Sequence, residues 1–114
     1  MTAKNQKDTV EKKKLTREEI FAALESVEDP EIALNVVDLG LIYDVVELDN
    51  RIVNIIMTLT FPGCPYGPAM IADIEGVVAG LNGVEKVDVE VVWDPPWDPA
   101  TMASDYAKDV LGIW

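Results

Sequence analysis

Histidine is absent from the sequence, cysteine occurs once, and lysine and arginine together number 9 against 21 aspartates and glutamates. Each shortage excludes a class of chemistry. Without histidine there is no imidazole base for a serine or cysteine triad and no imidazole ligand for the common zinc sites. One thiol, Cys64, forms no intrachain disulfide. Five of the cations, Lys4, Lys7, Lys12, Lys13 and Lys14, lie at the beginning, which leaves Arg17, Arg51, Lys86 and Lys108 for the rest. At a net charge of -12 such a body repels phosphate backbones, so nucleic acid is not an expected partner. The same acidity also serves solubility. Apolar runs of membrane-spanning length are missing, and the lysine-rich beginning leads into no apolar stretch of the secretory kind. No membrane partner is expected, and a cytoplasmic location is the default.

What remains is enough for one modest core: 114 residues, 49% of them hydrophobic. Residues 1–14 are polar and read as a disordered tail, with residues 15–114 forming the domain. Thr16 and Glu19 fit a capping box, and Leu15 with Ile20 its hydrophobic staple, which predicts a helix from Arg17 with a buried stripe of Ile20, Phe21, Leu24 and Val27. Pro30 should end that helix near Glu28. Residues 35–40 make an irregular entry, and residues 41–48 and 52–60 read as an antiparallel pair of strands joined at Asp49-Asn50. Val53, Ile55, Met57 and Leu59 share one face, with Thr58 and Thr60 on the other.

Met70, Ile71, Ile74, Val77, Val78 and Leu81 then recur at helical spacing, and Gly83 suits the left-handed residue that ends a helix. Val87, Val89, Val91 and Trp93 alternate with Lys86, Asp88 and Glu90 in a third strand, which a right-handed crossover sets parallel to the second. Asp98 and Pro99 open a last helix carrying Met102, Tyr106, Val110 and Leu111, stopping at Gly112. The result is an α+β fold in the order α-β-β-α-β-α, a mixed three-stranded sheet packed with helices.

Between the second strand and its helix lies Thr58-Leu59-Thr60-Phe61-Pro62-Gly63-Cys64-Pro65-Tyr66-Gly67-Pro68. A thiol just ahead of a helix N-terminus is biased toward thiolate, the form that binds metals, while Pro62, Gly63 and Pro65 restrict the loop that presents it. A cysteine is also among the most often buried residues, so a structural role stays open. The same holds nearby. Asp29 serves as a turn residue or as a functional carboxylate, Thr60 as a strand residue or as a hydrogen-bond partner for sulfur, and Trp93 and Trp97 either dock a partner or pack on the sheet edge.

Asp29-Pro30-Glu31, Val37-Asp38-Leu39-Gly40-Leu41-Ile42-Tyr43, Thr58-Leu59-Thr60 with Pro62-Gly63-Cys64-Pro65, and Trp93-Asp94-Pro95-Pro96-Trp97 together resemble the SufT/PaaD-like family of metal-sulfur cluster assembly domains. The order and spacing of these segments cover nearly the whole chain. The resemblance implies an iron-sulfur assembly-type α/β domain that acts in iron-sulfur protein maturation. It implies Cys64 as the cluster-contacting thiol, with Asp29, Glu31, Thr60, Gly63 and Pro65 around the same pocket. Phe61 stands where many relatives carry a small polar residue, which makes that pocket wall more apolar. The PaaD branch would add cysteines in a C-terminal extension, and none are here, which favours the SufT-like branch. There is no P-loop, so a carrier ATPase of the kind some relatives fuse to this domain would be a separate protein.

A cluster ordinarily needs four thiolates, so a single thiol predicts transient, shared ligation: Cys64 of two subunits in a homodimer, or Cys64 beside a partner's cysteines or a small thiol. The partners implied are assembly proteins and apo-acceptor proteins. The chain is not expected to be an enzyme, since a thiol enzyme would lack a histidine base and a second, resolving cysteine. The competing reading is a metal-free adaptor that recruits assembly proteins through its acidic surface and the Trp93 to Trp97 loop.

Overall fold

The first element is set by its cap. In the computed structural model, which describes residues 15–48 and 51–113, Thr16 Oγ1 accepts from the Glu19 N–H at 3.1 Å and the Glu19 carboxylate accepts from the Thr16 N–H at 2.8 Å. Helix α1, Arg17–Leu24, follows and buries Ile20 and Leu24. It ends sooner than Pro30 alone predicts. The Ser26 hydroxyl donates to the Ala23 carbonyl at 2.7 Å, and Glu28 and Asp29 are drawn into backbone pairing instead. They form β1, Glu28–Asp29, antiparallel to β2, Leu34–Asn35, a short ribbon that residue patterning did not predict.

From β2 the chain turns through Asn35, whose side chain accepts from the Asp38 N–H and donates to the Asp38 carboxylate, and reaches Gly40 in left-handed geometry at φ 80°. Strands β3, Ile42–Glu47, and β4, Ile52–Met57, pair antiparallel as expected. The Asp49-Asn50 turn lies outside the described residues, as do the tail at 1–14 and Trp114. Helix α2, Gly67–Ala79, crosses over to β5, Lys86–Val91, which runs parallel to β4. The sheet is three-stranded in the order β3-β4-β5.

One face of this sheet is the core. Val45, Val53, Ile55 and Met57 from the strands meet Ile20, Leu24, Met70, Ile74 and Val78 from α1 and α2, all fully buried. At about 1.5–3 kcal/mol for each buried aliphatic side chain, this layer outweighs any single cap or turn. The opposite face carries Ile52, Asn54 and Ile56, half-buried, between exposed Val46 and exposed Lys86, Asp88 and Glu90.

Two helical predictions need correction. Helix α2 stops at Gly80, and Gly83, at φ 93°, belongs to the following turn, where Arg51 lies against it. The single last helix is two: α3, Pro99–Met102, capped by Asp98, and α4, Asp105–Leu111, capped by Ser104. Ala103 takes an extended ψ of 151° between them, which turns Tyr106 and Val110 out to solvent and Ala103 and Ala107 into the core. Gly112, in left-handed geometry, ends α4 as expected.

Candidate functional site

Because β3 is antiparallel to β4 and β5 is parallel to it, the start of β3 and the ends of β4 and β5 meet at one end of the sheet. The three segments that leave there are residues 36–41, the Cys64 loop and residues 92–98. Backbone bonds join them: the Thr58 N–H donates to the Leu41 carbonyl at 2.9 Å, and the Val92 N–H to the Met57 carbonyl at 2.8 Å. Function at the carboxyl ends of parallel strands is a general property of such sheets.

Two successive turns build the Cys64 loop. The Cys64 N–H donates to Phe61 O at 3.1 Å with Pro62 and Gly63 between, and the Gly67 N–H donates to Cys64 O at 3.2 Å with Pro65 and Tyr66 between. In each turn proline holds the second position, where its fixed φ is favourable. Tyr66, at φ -95° and ψ 0°, leads into α2, whose first turn has neither a side-chain cap nor an acidic residue. Gly67 packs closely here: a Cβ would lie 2.8 Å from Leu59 Cδ1, so the leucine tip would have to shift to admit one. The start of α2 is thereby held tight against the end of β4.

This packing corrects one expectation. Cys64 is not openly presented: it is only 7% exposed and belongs to the core group, while Phe61, Pro62, Gly63, Pro65 and Tyr66 form the outer surface of the loop. The paired turns fold the sulfur side inward as α2 closes on Leu59. Thr58, whose N–H is held by Leu41 O, is fully buried, and Thr60 beyond it is half-buried.

Asp29 is 1% exposed, and its carboxylate accepts from the Glu31 N–H at 2.8 Å, the local bond of a turn residue; Glu31 itself is exposed. Among the described residues no group of three or more cysteine and carboxylate side chains is placed to hold a metal ion. Trp97 is half-buried with its indole N–H donating to Leu39 O at 2.8 Å, so it ties the last loop to the 36–41 segment. Trp93 is 45% exposed and stays available as surface.

Residue-by-residue reading missed Tyr43 as an organiser. Its hydroxyl donates to the Pro95 carbonyl at 2.8 Å and lies 3.6 Å from the Met102 sulfur. Burial raises its pKa, opposed by a hydrogen bond with Thr58 and reinforced by the nearby charge of Asp94. Val37, Gly40, Ile42, Tyr43, Pro95 and Met102 line an open cleft of about 440 Å³. The available signal was a lone phenol at the start of an aliphatic strand.

Residues 17–91 match the iron-sulfur cluster assembly protein family. The chain belongs to that family. Among its relatives, the Fe-S protein maturation auxiliary factor YitW of Bacillus subtilis is 43% identical over 85% of this chain and 94% of its own length. The Fe-S protein maturation auxiliary factor SufT of Staphylococcus aureus is 41% identical over 75% of this chain and 96% of its own. A crystal structure of a DUF59 domain from Bacillus anthracis superimposes at a TM-score of 0.79 with 40% identity, covering 85% of this chain and 92% of that one. The part shared with the family contains the Cys64 loop, Asp29, Glu31, Thr60 and Tyr43; Trp93 and Trp97 lie beyond it.

Proposed function

We propose that this protein is an accessory factor in the maturation of iron-sulfur proteins, acting where it meets assembly proteins and apo-acceptors, and that Cys64 touches the cluster as cargo during hand-over. The observation that carries the first part is membership of the iron-sulfur cluster assembly protein family, with two relatives of similar length named as maturation auxiliary factors. The second part rests on Cys64 as the one thiol of the sequence, placed at the sheet end.

One sulfur cannot hold a cluster alone, so the remaining ligands come from outside: an assembly protein, a second subunit or a small thiol. Transfer is then ligand exchange. An acceptor thiolate takes the iron site as the Cys64 sulfur leaves, with no net change in oxidation state. Because Cys64 is 7% exposed, its loop must shift outward first, and the two turn bonds at Phe61 and Gly67 are the local contacts to be broken. Docking of a partner on the exposed Phe61 and Tyr66 rings offers the compensating energy. Asp29 fixes its own turn by accepting from the Glu31 N–H. No helix of the described residues is long and apolar enough to cross a membrane, and we place the activity in the cytoplasm.

A second reading, the metal-free adaptor, is favoured by the same burial of Cys64 and by exposed Phe61, Tyr66 and Trp93 at one sheet end. Anaerobic reconstitution of wild type and Cys64→Ala with iron and sulfide, followed by transfer to an apo-acceptor, separates the two. Loss of transfer in the variant supports the ligand role. Equal transfer removes it and leaves the adaptor, whose partner pull-down should then fail on Trp93→Ala.

A further inference from the structure

An all-parallel sheet is covered on both faces, while a sheet with antiparallel pairing can leave one face to water. Here β3 is antiparallel to β4, β5 is parallel to it, and α1 and α2 cover one face. On the other, register sets Val46 beside Asn54 and Asp44 beside Ile56, with Lys86, Asp88 and Glu90 completing the rows. Ile52, Asn54 and Ile56 sit on the central strand and remain half-buried, while Val46 and Leu48 are 37% and 43% exposed. The C-terminal helices do not fill the gap. They pack at the sheet end, where the Ser104 N–H donates to Asp38 O at 2.7 Å and Met102 abuts Gly40.

A second observation marks the centre of this face. Asn54 Oδ1 is buried and accepts no hydrogen bond among the described residues, although buried acceptors are nearly always paired. Its amide torsion is broad, so a modest rotation would bring the oxygen to a donor laid over the sheet.

The geometry points to this face as the docking surface for a cationic amphipathic helix of a partner protein, its apolar stripe on Val46, Ile52 and Ile56 and its lysines or arginines toward Glu90 and Asp88. Size favours a helix: the outer strands of a three-stranded sheet stand about 10 Å apart, close to one helix diameter. Charge selects its sign. Arg17 meets Asp44 at 3.0 Å and Lys86 approaches Asp88 at 3.9 Å, while among the described residues no cation answers Glu90. A second copy would set -12 against -12, and anionic lipid or nucleic acid meets the same repulsion. This surface is separate from the Cys64 loop, so it stands whether or not Cys64 handles a cluster.

The test uses the full chain, isotope-labelled for amide NMR. The probe is a synthetic leucine-lysine amphipathic helix about 18 residues long, hence roughly 27 Å, beside its leucine-glutamate counterpart. Expected are saturable shifts at Val46, Ile52, Asn54, Ile56 and Glu90 with the lysine peptide alone. Ile56→Glu should weaken binding by about tenfold or more. Should that variant misfold, Glu90→Lys, at a fully wet position, still should weaken it several-fold. Shifts confined to α1, α2 or the Cys64 loop would overturn the assignment, as would equal binding of the glutamate peptide. So would prior movement of the same amides in peptide-free Lys12→Glu/Lys13→Glu/Lys14→Glu protein, which would make the chain's own first residues the occupant.

Discussion

Replacing Gly40 with alanine should unseat the C-terminal helices. Gly40 holds φ 80°, and a Cβ there would lie 2.3 Å from the carbonyl oxygen of Met102, 2.6 Å from its carbonyl carbon and 2.8 Å from its Cβ. The left-handed backbone alone costs alanine about 1–2 kcal/mol. The overlap is with main chain, which cannot swing aside as a side-chain tip can, so α3 must move. Movement of α3 disturbs the Tyr43 bond to Pro95 and the Trp97 bond to Leu39, each contributing on the order of 1 kcal/mol. The expected loss is therefore about 2–4 kcal/mol, and at about 4 °C or more per kcal/mol the midpoint should fall by at least about 8 °C. Thermal and urea unfolding followed by circular dichroism reads the loss, and Trp97 fluorescence reports the displaced loop. Gly76→Ala is the control. It lies within α2 with nothing inside 4 Å of an added Cβ, so it should gain up to about 1 kcal/mol of helix propensity. A Gly40→Ala protein melting within about 2 °C of wild type would refute the steric argument.

The remaining predictions concern single groups. Cys64 should react with an aromatic disulfide reagent at least about tenfold more slowly in the folded chain than in urea; equal rates would mean that the sulfur is open. The Arg17 guanidinium, with a backbone bond from Val45, holds the Asp44 carboxyl below its ordinary 3.8. A depressed folded value stabilises above the unfolded pKa and is lost as pH falls through the folded one, so Asp44→Asn should lose less stability than wild type on acidification below about pH 4. The pair is more than half exposed, so the difference will be small, and a steeper acid loss in the variant would contradict it. Tyr43 is shifted the other way, above 10.0, mainly by burial. Its contribution is present below the unfolded value and lost as pH climbs through the folded one, so Tyr43→Phe should flatten the fall in stability above about pH 10. An unchanged alkaline profile would remove the phenol from that role.

The parts of this fold that were legible in the sequence are those written by local chemistry or strict period. Thr16 and Glu19 announce α1 because their reciprocal bonds need only neighbours. Val53, Ile55 and Met57 alternate with Ile52, Asn54 and Ile56, and a buried face and a half-wet face follow directly. The parallel setting of β5 follows from the handedness of its crossover. The parts that were not legible depend on distant contacts. The ribbon β1-β2 has only two residues per strand and no periodicity of its own. The break at Ala103 was signalled only by Ser104, an N-cap residue read as helix interior. At the site, the loop and its turns were readable from Pro62, Gly63 and Pro65. The depth of Cys64 was not, because the closeness of α2 to Leu59 decides it. Tyr43 likewise gains two of its partners, Pro95 and Met102, from more than 50 positions away.

The shielding of the lone thiol has a practical side. A sulfur folded beneath two proline turns meets peroxide, and its counterpart on another molecule, far less often than one on the surface. In air the protein should stay a reduced monomer with respect to covalent linkage. Whatever coaxes the loop aside thereby also chooses the moment at which the sulfur becomes vulnerable, so handling and hazard are kept to the same brief encounter.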